Sequence, residues 1–378
     1  MAENYRIATL AIHADDHVAR TNDVASPIHL SSTYAYSSDP AQLKSFKQVV
    51  EAGTLHDDIV YSRENQPVVV RIEEVFSKLL DGHAVAYSSG LSAFHAAMIY
   101  FNPKNVFIGQ AYHGCKQSLD VLKRNYGVQS HPLESAAELI QSGDVIHLES
   151  PINPYGTAID IEKYVKIAHS RGAFVLIDST FAPPPLQFPF DFGVDMIMHS
   201  ATKYFGGHSD LLAGVLVTKD PKVAEVLHGD RDCLGTITAS LESWLLLRSL
   251  RTYDLRIRKQ VSNAIKIVKY LDEHRAEFPA LKSLTHASLQ KEEFVKRQLP
   301  LNGGPVFSIE VATPEIAKIL PSKTKLFHHA TSLGGVESLV EWRAMSDSDI
   351  SETLLRFSIG VEDVDDLIED LSNALKQL

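Results

Sequence analysis

The spacing of apolar residues along this chain changes twice, and the two changes divide it into three stretches. Residues 1–58 show weak periodicity, broken by Pro27, Pro40 and Gly53, and read as an extended arm or a loosely packed cap. From Val60 to about residue 217, short apolar runs alternate with helix-like stretches. Val106-Phe107-Ile108, Val145-Ile146-His147-Leu148, Phe174-Val175-Leu176-Ile177, Met196-Ile197-Met198 and Leu212 to Val217 read as buried strands. Helical segments separate most of them, such as Ile161 to Arg171 closed by Gly172. Buried runs spaced by helices predict an α/β fold with a mostly parallel sheet covered on both faces.

Beyond residue 238 the pattern changes again. Leu241 to about Glu277 reads as one long helix, straight or kinked, with Trp244, Leu247 and Leu250 on an apolar stripe. Two short strand-like runs follow, Val306 to Ile309 and Leu355 to Ile359. The last element is an amphipathic helix whose face carries Val364, Leu367, Ile368, Leu371 and Leu375. Glu362, Asp363, Asp365 and Asp366 at its start suit the positive end of the helix dipole. The expected organisation is an arm over 1–58, a ligand-binding α/β domain over 59–238 and a smaller α+β domain over 239–378.

Composition narrows the class. The chain has 378 residues, 44% of them hydrophobic, and acidic residues outnumber basic ones by 47 to 36. A formal charge of −11 argues against a partner with a phosphate backbone, so no nucleic acid is expected. No apolar stretch approaches the roughly 20 residues that span a bilayer. Met1-Ala2-Glu3-Asn4-Tyr5-Arg6 lacks the pattern of a secretory leader. Cys115 and Cys233 are far apart and build neither a disulfide framework nor a zinc site, which favours a reducing, cytoplasmic setting.

Four features fall where strands end, the place at which open α/β sheets bind ligands. Tyr87-Ser88-Ser89-Gly90-Leu91-Ser92-Ala93 is a turn of small residues entering a helix over Ala93 to Tyr100; it is an N-cap or an anion cradle. Asp178 follows a buried run and is either structural or a partner for a ribose hydroxyl or ring nitrogen. The G-x-G-x-x-G turn that a dinucleotide would need is absent. In Asp195 to Asp210, Lys203 lies just past a strand with Ser200 and Thr202 beside it and Gly206-Gly207 behind. Buried lysines lose their protons readily and serve in Schiff bases. His199 and His208 lack a third ligand at recognisable spacing, so no metal is expected. Tyr61-Ser62-Arg63 offers a guanidinium suited to phosphate, or simply a surface arginine. Together, Lys203, the Gly90-Leu91 turn with Ser200 and Thr202, Asp178, and an aromatic such as Tyr112 match an aldehyde cofactor with a phosphate tail and a pyridine nitrogen, pyridoxal 5′-phosphate (PLP).

The chain resembles the PLP-dependent cystathionine γ-synthase, γ-lyase and β-lyase family, and looks most like a fungal branch of it. The likeness runs from Pro27-Ile28-His29-Leu30-Ser31-Ser32-Thr33 to Arg356-Phe357-Ser358-Ile359-Gly360-Val361-Glu362. It includes the cofactor-lysine stretch His199 to Asp210, Tyr61-Ser62-Arg63, Ser88-Ser89-Gly90, Glu149-Ser150-Pro151-Ile152-Asn153-Pro154 and Ser332 to Leu339. The resemblance implies the aspartate-aminotransferase-like fold of PLP-dependent transferases (fold type I). It also implies that Lys203 carries the cofactor and moves protons, and that Asp178 keeps the ring nitrogen protonated. Tyr112 would stack on the ring and act on the leaving group, while Ser89, Gly90, Leu91, Ser200 and Thr202 would hold the phosphate. Tyr61 and Arg63 would reach the phosphate of a neighbouring subunit, giving a homodimer or homotetramer with shared sites. Arg356, helped by Asn153 and Ser332, would clamp the substrate α-carboxylate.

The implied activity is cleavage of a C–S bond in a sulfur amino acid. The alternatives are γ-replacement on a homoserine ester and a catalytically weak, regulatory PLP-binding protein. Some positions depart from the family pattern. Asp178-Ser179-Thr180 stands for Asp-Asn-Thr, and His113-Gly114-Cys115 for Gly-Gly-Thr. Val60 and Thr331 replace acidic residues, Arg343 replaces a proline, and the loop from Glu341 to Leu354 is short. Whether Arg343 faces the pocket or solvent is open at this stage.

Overall fold

A computed structural model describes residues 5–52 and 59–378. Met1 to Asn4, where a leader would start, and the expected arm boundary at 58 lie outside the described residues, as does Gly53.

The first sheet has seven strands: β1 (His83–Tyr87), β2 (Asn105–Ile108), β3 (Gln129–Pro132), β4 (Val145–Glu149), β5 (Phe174–Asp178), β6 (Met196–Ser200) and β7 (Gly214–Thr218). Their order across the sheet is β1-β7-β6-β5-β4-β2-β3. Pairing is parallel except that β7 runs antiparallel to both neighbours. Alternate residues serve opposite faces, as the two-residue period of a strand requires. Ala84, Ala86, Ile197, Val215 and Val217 join one apolar core with Val68, Ile72 and Phe76 of the helix Pro67–Leu79. Val85, Tyr87, Met196, Met198 and Leu216 join a second core with Phe94 and Met98 of the helix Gly90–Phe101. A sheet covered on both faces explains why its central strands read as continuous apolar runs.

The second sheet holds β8 (Leu281–Thr285), β9 (Val306–Val311), β10 (His328–His329), β11 (Leu339–Trp342) and β12 (Leu354–Ser358), in the order β10-β11-β12-β9-β8. Only β10 and β11 pair in parallel. Phe307, Ile309, Val340, Leu355 and Phe357 form its core with Leu367, Leu371 and Leu375 of the terminal helix Val364–Lys376.

Several sequence expectations are corrected here. The long helix expected over Leu241 to Glu277, straight or kinked, is two helices, Ser240–Leu250 and Tyr253–Glu273. The break comes where the Ser249 carbonyl accepts from Thr252 N (3.2 Å) and from Arg256 Nη2 (2.9 Å), bonds that divert it from a continuing α-helical ladder. Arg251 at the break donates to the carbonyls of Ala11 and Ile12 and to Asp15, anchoring the N-terminal helix Ile7–His13. The strand expected from Leu212 starts at Gly214, because Leu212 is exposed. The glycine-turn helix begins at Gly90 rather than Ala93, since the Ser89 hydroxyl caps it by accepting from Ser92 N at 3.1 Å. The helix expected to reach Arg171 ends at His169. Strands β1, β3, β8, β10 and β11 were not anticipated: they are short, small-residue or polar segments with no clear alternation.

Candidate active site

Strands β4, β5 and β6 end side by side at Glu149, Asp178 and Ser200. A cavity of about 380 Å³ opens over these carboxyl ends, within the range of small-ligand sites. Its lining brings together Ser89, Gly90, Leu91, Tyr112, Asn153, Asp178, Ser200, Thr202, Lys203, Ser332 and Arg356. Those are all the candidates from the sequence except Tyr61 and Arg63. Arg63 instead donates to the Asp232 carbonyl at 2.8 Å and lies over the Tyr61 ring, while Tyr61 is exposed.

Lys203 sits in the turn after β6 and donates from Nζ to Ser332 Oγ at 2.7 Å. Burial, with the Arg356 guanidinium nearby, pulls its ammonium down to about 8, against the opposing charges of Glu341 and Asp178. A substantial fraction is therefore a neutral amine near physiological pH. Asp178 accepts from Thr180 N at 2.9 Å, and among the described residues no basic side chain donates to it. Burial raises its carboxyl, while Thr180 and Lys203 hold it down.

The helix Gly90–Phe101 points its N-terminus into the cavity, where unpaired N–H groups and the helix dipole favour an anion. Gly90 lies tightly against β6: a Cβ there would meet Ser200 Cβ at 3.0 Å. Ser89, Ser200 and Thr202 line the same cavity. Tyr112 stands at the mouth, 40% exposed, so a ring face is available for stacking. Burial and Cys115 raise its phenol, and Arg343 and Arg356 draw it back.

The second sheet supplies the opposite wall. Arg356 on β12 is 3% exposed; it donates to Asn153 Oδ1 (2.9 Å), the Ser332 carbonyl (2.8 Å) and Glu341 Oε2 (2.5 Å). Glu341 is its cross-strand neighbour on β11. Ser332 has φ 85°, a left-handed conformation unusual for serine, and it touches both Lys203 and Arg356. Arg343 also lines the cavity, donating to Glu341 Oε2 (3.1 Å) and Asp347 Oδ2 (3.4 Å).

Two carboxylates at the site were not singled out from the sequence. Glu149 accepts from Tyr112 N (2.6 Å) and Asn153 N (2.9 Å), tying together the aromatic and the amide that line the cavity. Burial and the nearby Asp178 raise it to about 8. Its signal was available, because it ends a buried strand as Asp178 does. Glu341 gave no such signal; only the β11–β12 register brings it to Arg356. His199 and His208 do not join the site: His199 is buried with both ring nitrogens unpartnered, and His208 bonds to the Gly206 carbonyl.

A buried amine, a buried carboxylate to which no basic side chain donates among the described residues, a helix N-terminus and an exposed ring face fit PLP. Comparison with known proteins points the same way. The family model for Cys/Met metabolism PLP-dependent enzymes matches residues 8–376. Cystathionine γ-lyase of Saccharomyces cerevisiae is 32% identical over 407 residues, covering 100% of this chain and 99% of the relative. Cystathionine γ-synthase of Mycobacterium bovis is 32% identical over 390 residues, covering 97% and 96%. The crystal structure of the yeast cystathionine γ-lyase superposes with a TM-score of 0.86 at 31% identity, covering 99% of this chain and 98% of that one.

Proposed function

Because the chain belongs to the PLP-dependent enzymes of cysteine and methionine metabolism, we propose that it cleaves the C–S bond of a sulfur amino acid by β- or γ-elimination. The observation that carries this reading is the meeting of Lys203 and Arg356 in one cavity through Ser332. A cofactor lysine and a carboxylate clamp are then held at a fixed separation. When bound, the cofactor supplies an electron sink for the charge that develops at Cα.

In this reading Lys203 holds the cofactor and moves protons at Cα and Cβ, a task suited to an amine that titrates near 8. Asp178 faces the ring nitrogen and favours its protonated form. Ser89, Gly90, Leu91, Ser200 and Thr202 hold the phosphate. Tyr112 stacks on the ring and exchanges a proton with the leaving sulfur. Arg356, Asn153 and Ser332 orient the α-carboxylate. A regulatory protein without turnover has no use for that clamp. The γ-replacement reading is supported by the equal identity to a γ-synthase.

The active unit is proposed to be a homodimer, two of which form a tetramer. Val24, Leu30, Tyr36 and Phe46 of the N-terminal segment are exposed apolar residues suited to a second copy. Tyr61 and Arg63 would then complete a neighbour's phosphate site. The arm, cofactor and C-terminal divisions at 58 and 238 belong to the same proposal. No helix among the described residues is long and apolar enough to cross a membrane. A cytoplasmic location suits the two free cysteines.

The test is a spectral titration of the purified holoenzyme with cystathionine, cysteine, methionine and O-acetylhomoserine, followed by product analysis. Release of a keto acid and a thiol supports elimination. Borohydride should fix the cofactor to a peptide containing Lys203, and Lys203→Ala should abolish both labelling and turnover. A label on another peptide would overturn the assignment.

A further inference from the structure

Resting on the reading of this cavity as an amino-acid site, we propose that Arg343 is a specificity-determining residue that selects substrates with an anionic group at the end of the side chain. Arg343 is 3% exposed and lines the cavity beside Arg356. Its Nη1 and the Nη2 of Arg356 both touch the same oxygen, Glu341 Oε2, at 3.1 and 2.5 Å. Two guanidiniums are thus gathered on one carboxylate, which is itself occupied at Oε1 by Ser346 Oγ at 2.7 Å.

The remaining groups around Arg343 leave it incompletely matched. Among the described residues its only other acid is Asp347, which is partly exposed and at 3.4 Å, the long end of hydrogen bonding. Its Nε is buried and has no partner. A guanidinium is a planar fork with five donors, and an unmade buried bond to it is costly. The acids elsewhere in the cavity are committed: Glu149 accepts from backbone N–H groups, and Asp178 faces Lys203 and Thr180. Thr331, on the same wall, brings no charge.

An α-carboxylate at Arg356 and Asn153 answers one guanidinium. A second anion on the same molecule answers the other, where both guanidiniums are buried and charge-assisted bonds are strong. A cationic tail meets Arg343 with no acid free to receive it. The ligand class is an S-substituted cysteine or homocysteine, or a homoserine ester, whose tail ends in a carboxylate or a similar anion.

The experiment compares three S-substituted cysteines of similar tail length: S-carboxymethyl (anionic), S-propyl (neutral) and S-(2-aminoethyl) (cationic). Their kcat/KM values are measured on holoenzyme of wild type, Arg343→Gln and Arg343→Lys, with thermal melts to verify folding. The corresponding thioether propionates lack the amine and cannot react, so calorimetric titration reports their binding without chemistry. Wild type should favour the anionic tail over the neutral one by about 10-fold or more in both readouts, the scale of a charge-assisted hydrogen bond. The cationic tail should rank last, Arg343→Gln should erase the preference, and Arg343→Lys should retain part of it.

Equal values for the three tails in wild type overturn the proposal, as does a preference that survives in Arg343→Gln. Turnover of the cysteines without tail preference leaves the C–S reading standing and removes only the role of Arg343. Arg343-dependent binding of the dicarboxylate without turnover of any cysteine supports the anion site and overturns the C–S reading.

Discussion

Glu149 and Asp178 are direct neighbours across the β4–β5 ladder, and both carboxylates are buried at the carboxyl end of the sheet. Neither receives a hydrogen bond from a basic side chain among the described residues. Burial raises both carboxyls, and Asp178 raises Glu149 further, so ionising them is costly until a cation such as a protonated ring nitrogen offsets the charge. Asp178→Asn is therefore expected to act in opposite directions on two readouts. Affinity for the cofactor, followed by its absorbance, should fall by about 10-fold or more, the scale of one charge-assisted bond. The cofactor-free protein should melt higher than wild type, because a neutral amide replaces a carboxyl whose ionised form burial disfavours. A lower melting point in the cofactor-free variant would show that Asp178 is stabilised by contacts other than these.

Arg356→Ala should keep the cofactor colour and weaken substrate binding. It removes the guanidinium that meets Asn153 and leaves Glu341 with Arg343 alone. Breaking a buried ion pair costs about 3–5 kcal/mol, equivalent to roughly 10²–10⁴ in affinity. The check is the Michaelis constant of the best amino-acid substrate; an unchanged value removes Arg356 from the clamp.

Acid should destabilise the fold well above the usual carboxylate range. His147, His199 and His286 are buried, and burial pulls them to about 4, 3 and 4 from an unfolded value near 6.5. Above that value both states are neutral and the three have no effect. As pH falls below it the unfolded chain takes up protons first, so stability is lost from about 6.5 down to the folded values. Each histidine contributes at most about 1.4 kcal/mol per pH unit in that window. Glu149 works the other way: its raised carboxyl favours the folded state as pH drops from about 8 towards 4.5. Melting temperature against pH should decline below 6.5, and His199→Gln should flatten the decline. A wild-type curve that is level from 6.5 to 4.5 would rule this out.

Arg63→Ala should lower cofactor affinity although Arg63 does not line the cavity of its own chain. Mixed with Lys203→Ala, it should recover part of the activity, because a mixed dimer contains one site with both residues intact. Demonstrated mixed dimers without activity would mean that the phosphate site is built within one chain.

The site was legible in sequence to the extent that its residues end buried strands or open a helix. Lys203, Asp178 and Gly90 are of this kind, since a run of apolar residues followed by a polar one announces a strand end. Glu149 carried the same mark and was passed over. Arg343 stands out in the sequence as a departure from the family pattern, with only its direction left open, whereas Glu341 is not legible in its role, because that depends on which residues β11 and β12 bring opposite one another. The break at Arg251-Thr252 was hidden for a related reason: the side chain of Arg256 takes a carbonyl that periodicity assigns to the helix. Strands such as β3 and β10 are edge pieces with polar or minimal sequence, whose pairing comes from neighbours rather than from their own pattern.

Ser332 bolts the two lobes together at the point of chemistry: its hydroxyl holds the amine from the first sheet, and its carbonyl holds the guanidinium from the second. The residues around the bolt are equally tight, since a Cβ on Gly334 would come within 2.8 Å of the Tyr204 backbone nitrogen. On the roles proposed for Arg356 and Lys203, the grip on the substrate and the placement of the reactive amine are a single adjustable part for anyone redesigning this scaffold. Loosening the seam between the lobes to admit a larger side chain should degrade both together. Changes to the β11–β12 wall that spare Ser332, Glu341 and Arg356 leave that part alone, and retargeting should begin there.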